Sequence, residues 1–123
     1  MTMYFEFQPH SRAGAAWAPT VDVCESQKEI VITVEMPGVE KSDVQLSWMD
    51  STLVISGQKR EEPLRRDGAR YLCVERAYGN FRRDIDIHVL IDRKTARAEL
   101  KNGLLKIRLP KVTSEGPEEI PIL

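Results

Sequence analysis

The sequence has little of what catalysis, metal binding or membrane insertion requires. Among 123 residues it has two cysteines, two histidines and 7% aromatic residues. No uncharged apolar run approaches the roughly 18 residues of a membrane-spanning helix. The 18 Lys and Arg against 19 Asp and Glu give a net charge of −1, without the basic excess of general nucleic-acid binders. We therefore expect one soluble, cytoplasmic domain with no signal peptide, no membrane span and no nucleic-acid partner.

Reactive side chains are also isolated from one another along the chain. Cys24 and Cys73 lack the C-x-x-C spacing of a metal or redox site, so we expect two small, half-buried apolar side chains. His10 and His88 have no neighbour in sequence that would make either a catalytic base. A glycine-rich phosphate loop is absent as well. The sequence predicts no enzymatic activity, no metal site and no cofactor.

What the sequence does contain is apolar residues alternating with polar ones at a period of two. This alternation is typical of antiparallel strands with one buried and one wet face. Asn102-Gly103 predicts a tight hairpin, because both residues tolerate positive φ. Residues 92–100 also contain good helix formers, but the hairpin favours a strand there. We predict an all-β antiparallel sandwich from the segments 20–24, 30–36, 44–48, 53–56, 81–87, 96–100 and 105–109.

Arg83 has the same inward parity as Phe81, Ile85 and Ile87, although it is charged. A buried guanidinium must find a carboxylate or carbonyl groups, because an unpaired buried charge is costly. The alternative is a stem that lies along the surface with its head in water. The opposite, wet face of this strand is expected to carry Arg82, Asp84 and Asp86.

Three segments interrupt this pattern. Residues 1–17 form an aromatic arm without a clear period, and residues 57–73 form a long, highly charged loop. In the loop, basic and acidic residues are interleaved, which indicates a solvated surface rather than a nucleic-acid site. A polar linker, residues 112–119, precedes the apolar Ile120, Pro121 and Ile122.

An ordered set of motifs resembles the small heat-shock protein family and its α-crystallin domain. The motifs are APTVDV at 18–23, VEMPGV at 34–39, LVISGQK at 53–59, ERAYGNFRR at 75–83, NGLLKIRLP at 102–110 and I-x-I at 120–122. The chain departs from the family pattern at residues 84–86, DID, and in its short arm. The resemblance implies an immunoglobulin-like β-sandwich at 18–111, between a flexible N-terminal arm at 1–17 and a C-terminal tail at 112–123.

The resemblance also implies a function. It suggests an ATP-independent stress chaperone, a holdase that binds partly unfolded client proteins and prevents their aggregation. The building block would be a homodimer that joins into larger homo-oligomers. The long loop resembles the bacterial and plant-like branch, in which a loop strand pairs with the partner's sheet. That assigns Tyr71, Leu72 and Cys73, together with Arg83, to the dimer interface, unless the loop only aids solubility.

Ile120 and Ile122 point the same way if the chain is extended, a conformation that Pro121 favours. The two apolar side chains would then be buried together in a groove. By resemblance, that groove lies between residues 44–48 and 96–100 and is lined by Val44, Leu46, Ala98 and Leu100. The alternatives are a passive apolar tail and ordinary core positions.

Client binding is assigned by resemblance to the arm, because flexible aromatic and Met-containing surfaces adapt to many partners. The candidate residues are Met3, Tyr4, Phe5, Phe7 and Trp17. The alternative is a disordered leader. Two other classes of protein fit the sequence less well. A monomeric co-chaperone adaptor similar to CS domains would lack the long loop and the I-x-I tail, and an enzyme on a β-sandwich would need a catalytic constellation that the sequence does not contain.

Overall fold

Seven β-strands and one short 3-10 turn make up the regular structure of the computed structural model, which describes residues 15–61, 68–113 and 120–123. The 3-10 turn is Lys41–Asp43. The strands are β1 (Val21–Glu25), β2 (Glu29–Glu35), β3 (Val44–Met49), β4 (Thr52–Lys59), β5 (Gly79–Asp86), β6 (Arg97–Lys101) and β7 (Leu104–Pro110). Each strand overlaps a segment predicted from the alternation, so the all-β prediction is confirmed.

The strands form two antiparallel sheets that share one core. The four-stranded sheet has the order β1-β2-β7-β6 and the three-stranded sheet the order β3-β4-β5. Alternate residues of β2 and β7 are buried and pair in register, as Ile32 does with Ile107. Leu53, Ile55 and Phe81 of the other sheet belong to the same core cluster. The antiparallel β-sandwich predicted from the sequence is therefore confirmed.

The predicted hairpin joins β6 to β7. Asn102 has φ 54° and Gly103 has φ 75°, and Lys101 pairs with Leu104 across the turn. Two consecutive positive φ values match the twist of the flanking strands. Residues 93–95, which belong to the stretch with good helix formers, form a turn instead of a helix. The hairpin therefore fixes the register of β6, in which Leu100 is half-buried and the other four residues are exposed.

The expectation of a fully wet outer face on β5 is wrong at Asp84. Its side chain is only 4% exposed, and its carboxylate accepts a hydrogen bond of 2.8 Å from Nε of Arg82. This hydrogen bond raises the pKa of Arg82 above its ordinary value. Val54, which is opposite Asp84 in the register, is also buried. The middle of the three-stranded sheet is therefore covered on both faces.

The prediction for the cysteines is also wrong, because both are exposed. Cys24 lies on the outward face of the edge strand β1, and Cys73 lies in a segment without regular structure. The described part of the chain contains no helix that is both long and apolar enough to cross a membrane.

Candidate functional site

A groove with two adjoining pockets lies between β3 and β6, the edge strands of opposite sheets. The first, which we call the Val44 pocket, has a volume of about 390 Å³. It is lined by Lys41, Val44, Leu46, Ala98, Glu99, Leu100 and Leu105. The structure thus brings together all four residues that the sequence analysis placed in a groove. Their role in binding a tail stays a prediction.

The second, which we call the Trp48 pocket, has a volume of about 240 Å³. It shares Leu46 and Ala98 with the first, so the two pockets adjoin along the groove. Its lining residues are Leu46, Ser47, Trp48, Leu53, Arg93, Ala96, Arg97, Ala98, Ile107 and Leu109. The sequence analysis did not name Trp48 or Ala96 as groove residues. Their parity, which matches that of Leu46 and Ala98, is the signal that could have found them.

The groove stays open because edge strands meet other side chains on fewer sides than central strands do. Leu46 is 37% exposed although it has the parity of the core residues. Opposite it, Ala96 and Ala98 have side chains too small to fill the space between the sheets. An apolar surface of this kind, bounded by polar residues, is typical of an interaction site.

The two ends of the groove differ in charge. At the Trp48 pocket, the guanidinium of Arg93 lies 4.3 Å from the centroid of the Trp48 ring and donates a hydrogen bond to the carbonyl of Asp50. Arg97 is the second cation there, and none of the described residues that line this pocket has a carboxylate. The Val44 pocket has one charge of each sign, Lys41 and Glu99. The groove is therefore cationic at one end and nearly neutral at the other.

The I-P-I segment does not occupy this groove in its own chain. Ile120 is 88% exposed, Ile122 is 99% exposed, and Pro121 is exposed as well. Residues 114–119 of the linker lie outside the described residues. Two isoleucines in contact with water represent apolar area that a second molecule could bury.

The segment predicted to exchange between subunits is also exposed. Leu72 is 87% exposed, and Tyr71, Cys73 and Val74 are exposed beside it. None of the four belongs to a strand of this chain. Residues 62–67 of the charged loop lie outside the described residues. The exchange of this segment stays a prediction.

Arg83 is buried at 9% exposure, as its parity predicted. Its Nη1 donates a hydrogen bond of 3.4 Å to the carbonyl of Pro19, in the segment that leads into β1. Burial, which disfavours the charged form, lowers the pKa of Arg83 below its ordinary value. Arg83 therefore connects the two sheets within one chain. Its assignment to the dimer interface stays a prediction.

Of the five client-binding candidates, Trp17 lies within the described residues. Trp17 packs on Phe81 with 5.2 Å between ring centroids, and its Nε1 donates a hydrogen bond of 3.3 Å to the carbonyl of Gly79. Its own carbonyl accepts a hydrogen bond from the backbone N–H of Arg82, which covers part of the edge of β5. Trp17 is thus held against the sandwich. The other client-binding candidates, Met3, Tyr4, Phe5 and Phe7, lie outside the described residues.

Comparison with known proteins gives consistent matches. The sequence profile of the Hsp20/alpha crystallin family matches residues 22–123. Heat shock protein 16 of Schizosaccharomyces pombe is 38% identical over 109 residues, which cover 85% of this chain and 75% of that protein. Spore protein SP21 of Stigmatella aurantiaca is 31% identical over 107 residues, or 87% of this chain. The chain spans only 63% of the length of that relative.

Solved structures agree with these matches. A small heat-shock protein from Xylella fastidiosa, described as having a distinct high order structure, superimposes with a TM-score of 0.74 at 27% identity. The match covers 88% of this chain and 98% of that one. Further relatives are heat shock proteins of plants. These relatives bear the names of heat-shock or spore proteins, and none is named as an enzyme.

Proposed function

The chain belongs to the Hsp20/alpha crystallin family of stress-response chaperones, and on this premise we propose that it is an ATP-independent holdase. It would bind partly unfolded proteins and prevent their aggregation. One observation carries the proposal: a single chain has both an open apolar groove and an exposed I-P-I segment that could fill it in another copy. A monomeric adaptor of the CS type would need neither the open groove nor the exposed I-P-I segment.

The groove supports assembly through the tail. Burying two isoleucine side chains is worth about 3–6 kcal/mol before ordering costs. One such contact is weak and reversible, but several copies in one assembly strengthen each other. The eight linker residues 112–119 reach about 26 Å when extended, enough to touch a neighbour. Tail and groove would therefore join dimers into larger homo-oligomers.

The exposed segment around Leu72 supports the dimer. A row of apolar residues in water, next to a sandwich with open sheet edges, favours pairing with a second copy. The edges of β1, β3 and β6 have no neighbouring strand in the described chain, whereas that of β5 is partly covered by Trp17. Exchange of Tyr71, Leu72 and Cys73 between subunits would cover such an edge.

Clients would bind to apolar surface that assembly leaves free or releases. The arm residues Met3, Tyr4, Phe5 and Phe7 remain the first candidates, since aromatic and Met side chains adapt to varied partners. Trp17 would contribute less, because it packs against Phe81. An unoccupied groove offers further apolar surface near Leu46.

The proposed activity predicts that the protein suppresses aggregation without nucleotide. At a near-stoichiometric ratio to a heat-labile enzyme, it should lower light scattering at the temperature where that enzyme aggregates. It should not refold the client by itself. An equal mass of serum albumin is the control, and the assay is repeated with ATP. A requirement for ATP, or unchanged scattering at every ratio, would remove the holdase proposal.

The exchange of the loop predicts a second result. Replacing residues 62–72 with a short Gly/Ser turn should abolish the dimer while the sandwich stays folded, because the exposed row around Leu72 is removed. Sedimentation velocity and circular dichroism measure the two effects. The matched control neutralises Glu62, Arg65 and Arg66 as Gln but keeps the length and residues 71–73. If the shortened variant stays dimeric, the interface lies elsewhere.

A further inference from the structure

The charge asymmetry of the groove bears on how a tail would lie in it. Arg93 and Arg97 line the Trp48 pocket, and neither forms an ion pair with any described residue. Glu99 lines the Val44 pocket together with Lys41, and on the outer face of β6 it also shares a shallow pocket with Arg97, Lys106 and Arg108. A carboxylate-bearing occupant is therefore attracted to the Trp48 end and gains little at the Val44 end.

The tail has most of its complementary charge on one side. Between Lys111 and Ile120 the sequence has three carboxylates, Glu115, Glu118 and Glu119, and no cation. Two of these directly precede Ile120, whereas Leu123, which follows Ile122, has no charged side chain and at a free chain end brings one α-carboxylate. Most of the negative charge of a bound tail would therefore lie at whichever end of the groove receives Ile120.

We propose that Arg93 and Arg97 set the direction of the tail of a second copy, by pairing with its Glu118 and Glu119. Ile120 then fills the Trp48 pocket and Ile122 fills the Val44 pocket. This inference rests on the proposed tail–groove contact and adds its polarity and its salt dependence. The two arginines are specificity residues: they select one of two directions that the apolar pockets alone would accept.

Strand geometry agrees with this direction. β3 runs from the Val44 pocket to the Trp48 pocket, and β6 runs the opposite way. A tail bound as proposed is antiparallel to the edge of β3 and parallel to β6. In an extended tail, Glu118 has the parity of the two isoleucines and continues along the groove toward Arg93. Glu119 has the outward parity, which is that of Arg97 on β6.

The reversed direction is less favourable for an electrostatic reason. It would bring Glu118 and Glu119 to the end where Glu99 offsets Lys41. Like charges on neighbouring strands destabilise a pairing. Because exposed ion pairs are weak, the expected preference is about two- to fivefold per pair at low salt. Raising the salt to about 1 M, where the Debye length is near 3 Å, should remove most of it.

A cysteine cross-link tests the direction without altering the proposed charges. In a full-length Cys24→Ser, Cys73→Ser background, chains with Leu123→Cys are mixed with chains carrying one groove cysteine. Lys101→Cys reports the Leu100 end of the groove, and Ser47→Cys reports the Trp48 end; both positions are exposed. Oxidised glutathione accepts the two electrons as two thiols form one disulfide. Linked peptides are identified by mass spectrometry.

The proposed direction predicts a dominant link between residues 123 and 101. A disulfide requires Cα atoms within about 7 Å, so only one end of the groove can react well. A dominant link between residues 123 and 47 overturns the proposal. Equal yields of the two links, or neither link in an assembled sample, overturn it as well.

A charge exchange supplies an independent measurement. Glu119→Arg should weaken assembly at low salt about two- to fivefold per contact, and adding Arg97→Glu in the same chain should restore it. Glu115→Arg makes the same charge change farther from Ile120 and should assemble like the wild type. If Glu115→Arg and Glu119→Arg have equal effects, or the double variant is not restored, the pairing is wrong.

Failure of this inference can be told apart from failure of the proposed function. The Ile120→Ala, Ile122→Ala variant is analysed in the same series. If assembly of this variant is unchanged, the tail–groove contact itself is absent, and the proposed direction is wrong as well. If assembly depends on them while residue 123 links to residue 47, the contact stands and only the direction is wrong.

Discussion

Replacing both Ile120 and Ile122 with alanine is expected to reduce the oligomers to dimers, while the melting temperature of the sandwich stays nearly the same. The two side chains are 88% and 99% exposed, so they add nothing to the core of their own chain. Their apolar area is what the groove between β3 and β6 would bury in a neighbour. The substitutions therefore weaken assembly and leave the stability of the folded sandwich nearly unchanged.

The size of this effect follows from the area removed. Each truncation should cost about 1–3 kcal/mol per contact, so one tail–groove link weakens at least about tenfold. Because links repeated around an assembly reinforce one another, the loss multiplies and the larger species disappear first. Client binding at low temperature should rise or stay equal, since the vacated groove exposes Leu46 and its neighbours.

Native mass spectrometry at equal subunit concentration measures the distribution of species. The matched control is Leu123→Ala, which removes similar apolar area from the adjacent position with the opposite parity. It should keep the wild-type distribution. An unchanged distribution for the double alanine variant would mean that Ile120-Pro121-Ile122 is a passive tail.

Gly57→Ala is expected to have the largest effect on folding. Gly57 lies on β4 between Val44 of β3 and Phe81 of β5. A Cβ atom there would lie 2.0 Å from the carbonyl oxygen of Asp43 and 2.6 Å from Cζ of Phe81. The oxygen belongs to the backbone, so the clash cannot be relieved by a change of rotamer. The edge strand β3 would have to move away from β4.

Overpacking in a well-packed core costs about 1–3 kcal/mol and occasionally more. Since a backbone atom must shift here, we expect about 3 kcal/mol or more, which corresponds to a melting temperature lower by at least roughly 10 °C. Differential scanning calorimetry measures it. Ser56→Ala, which adds no atom at the adjacent position, is the control and should stay near the wild type. A Gly57→Ala variant that melts within a degree of wild type would contradict the close approach of Asp43.

The alternation of apolar and polar residues was sufficient to predict the strands and the inward residues, because each buried face repeats at a period of two. It predicted the burial of Arg83 for the same reason. It failed at Asp84, which is covered through its pairing with Arg82, because the period does not reveal an ion pair on the outer face. The expectation of half-buried cysteines failed for a different reason: it rested on the missing C-x-x-C spacing, which does not determine burial, whereas the alternation gives Cys24 the outward parity of Asp22.

The groove shows a different limit. Leu46 and Ala98 come from edge strands of different sheets, so no local pattern relates them. The resemblance to a family suggested them, and the structure brings them together. The basic end of the groove was missed altogether. Arg93 reaches Trp48 from a turn 45 residues later in the chain, a contact that only the folded structure reveals.

The positions of the two tryptophans have an optical consequence. Trp48 forms one end of the groove beneath the guanidinium of Arg93, whereas Trp17 is held against Phe81 at the edge of β5. A side chain that enters the Trp48 pocket replaces water around the indole, which changes its emission. In a Trp17→Phe variant Trp48 is the sole indole, since the sequence has two tryptophans. Filling and emptying of the groove then become visible by fluorescence in unlabelled protein, in real time and at dilutions where the assembly comes apart.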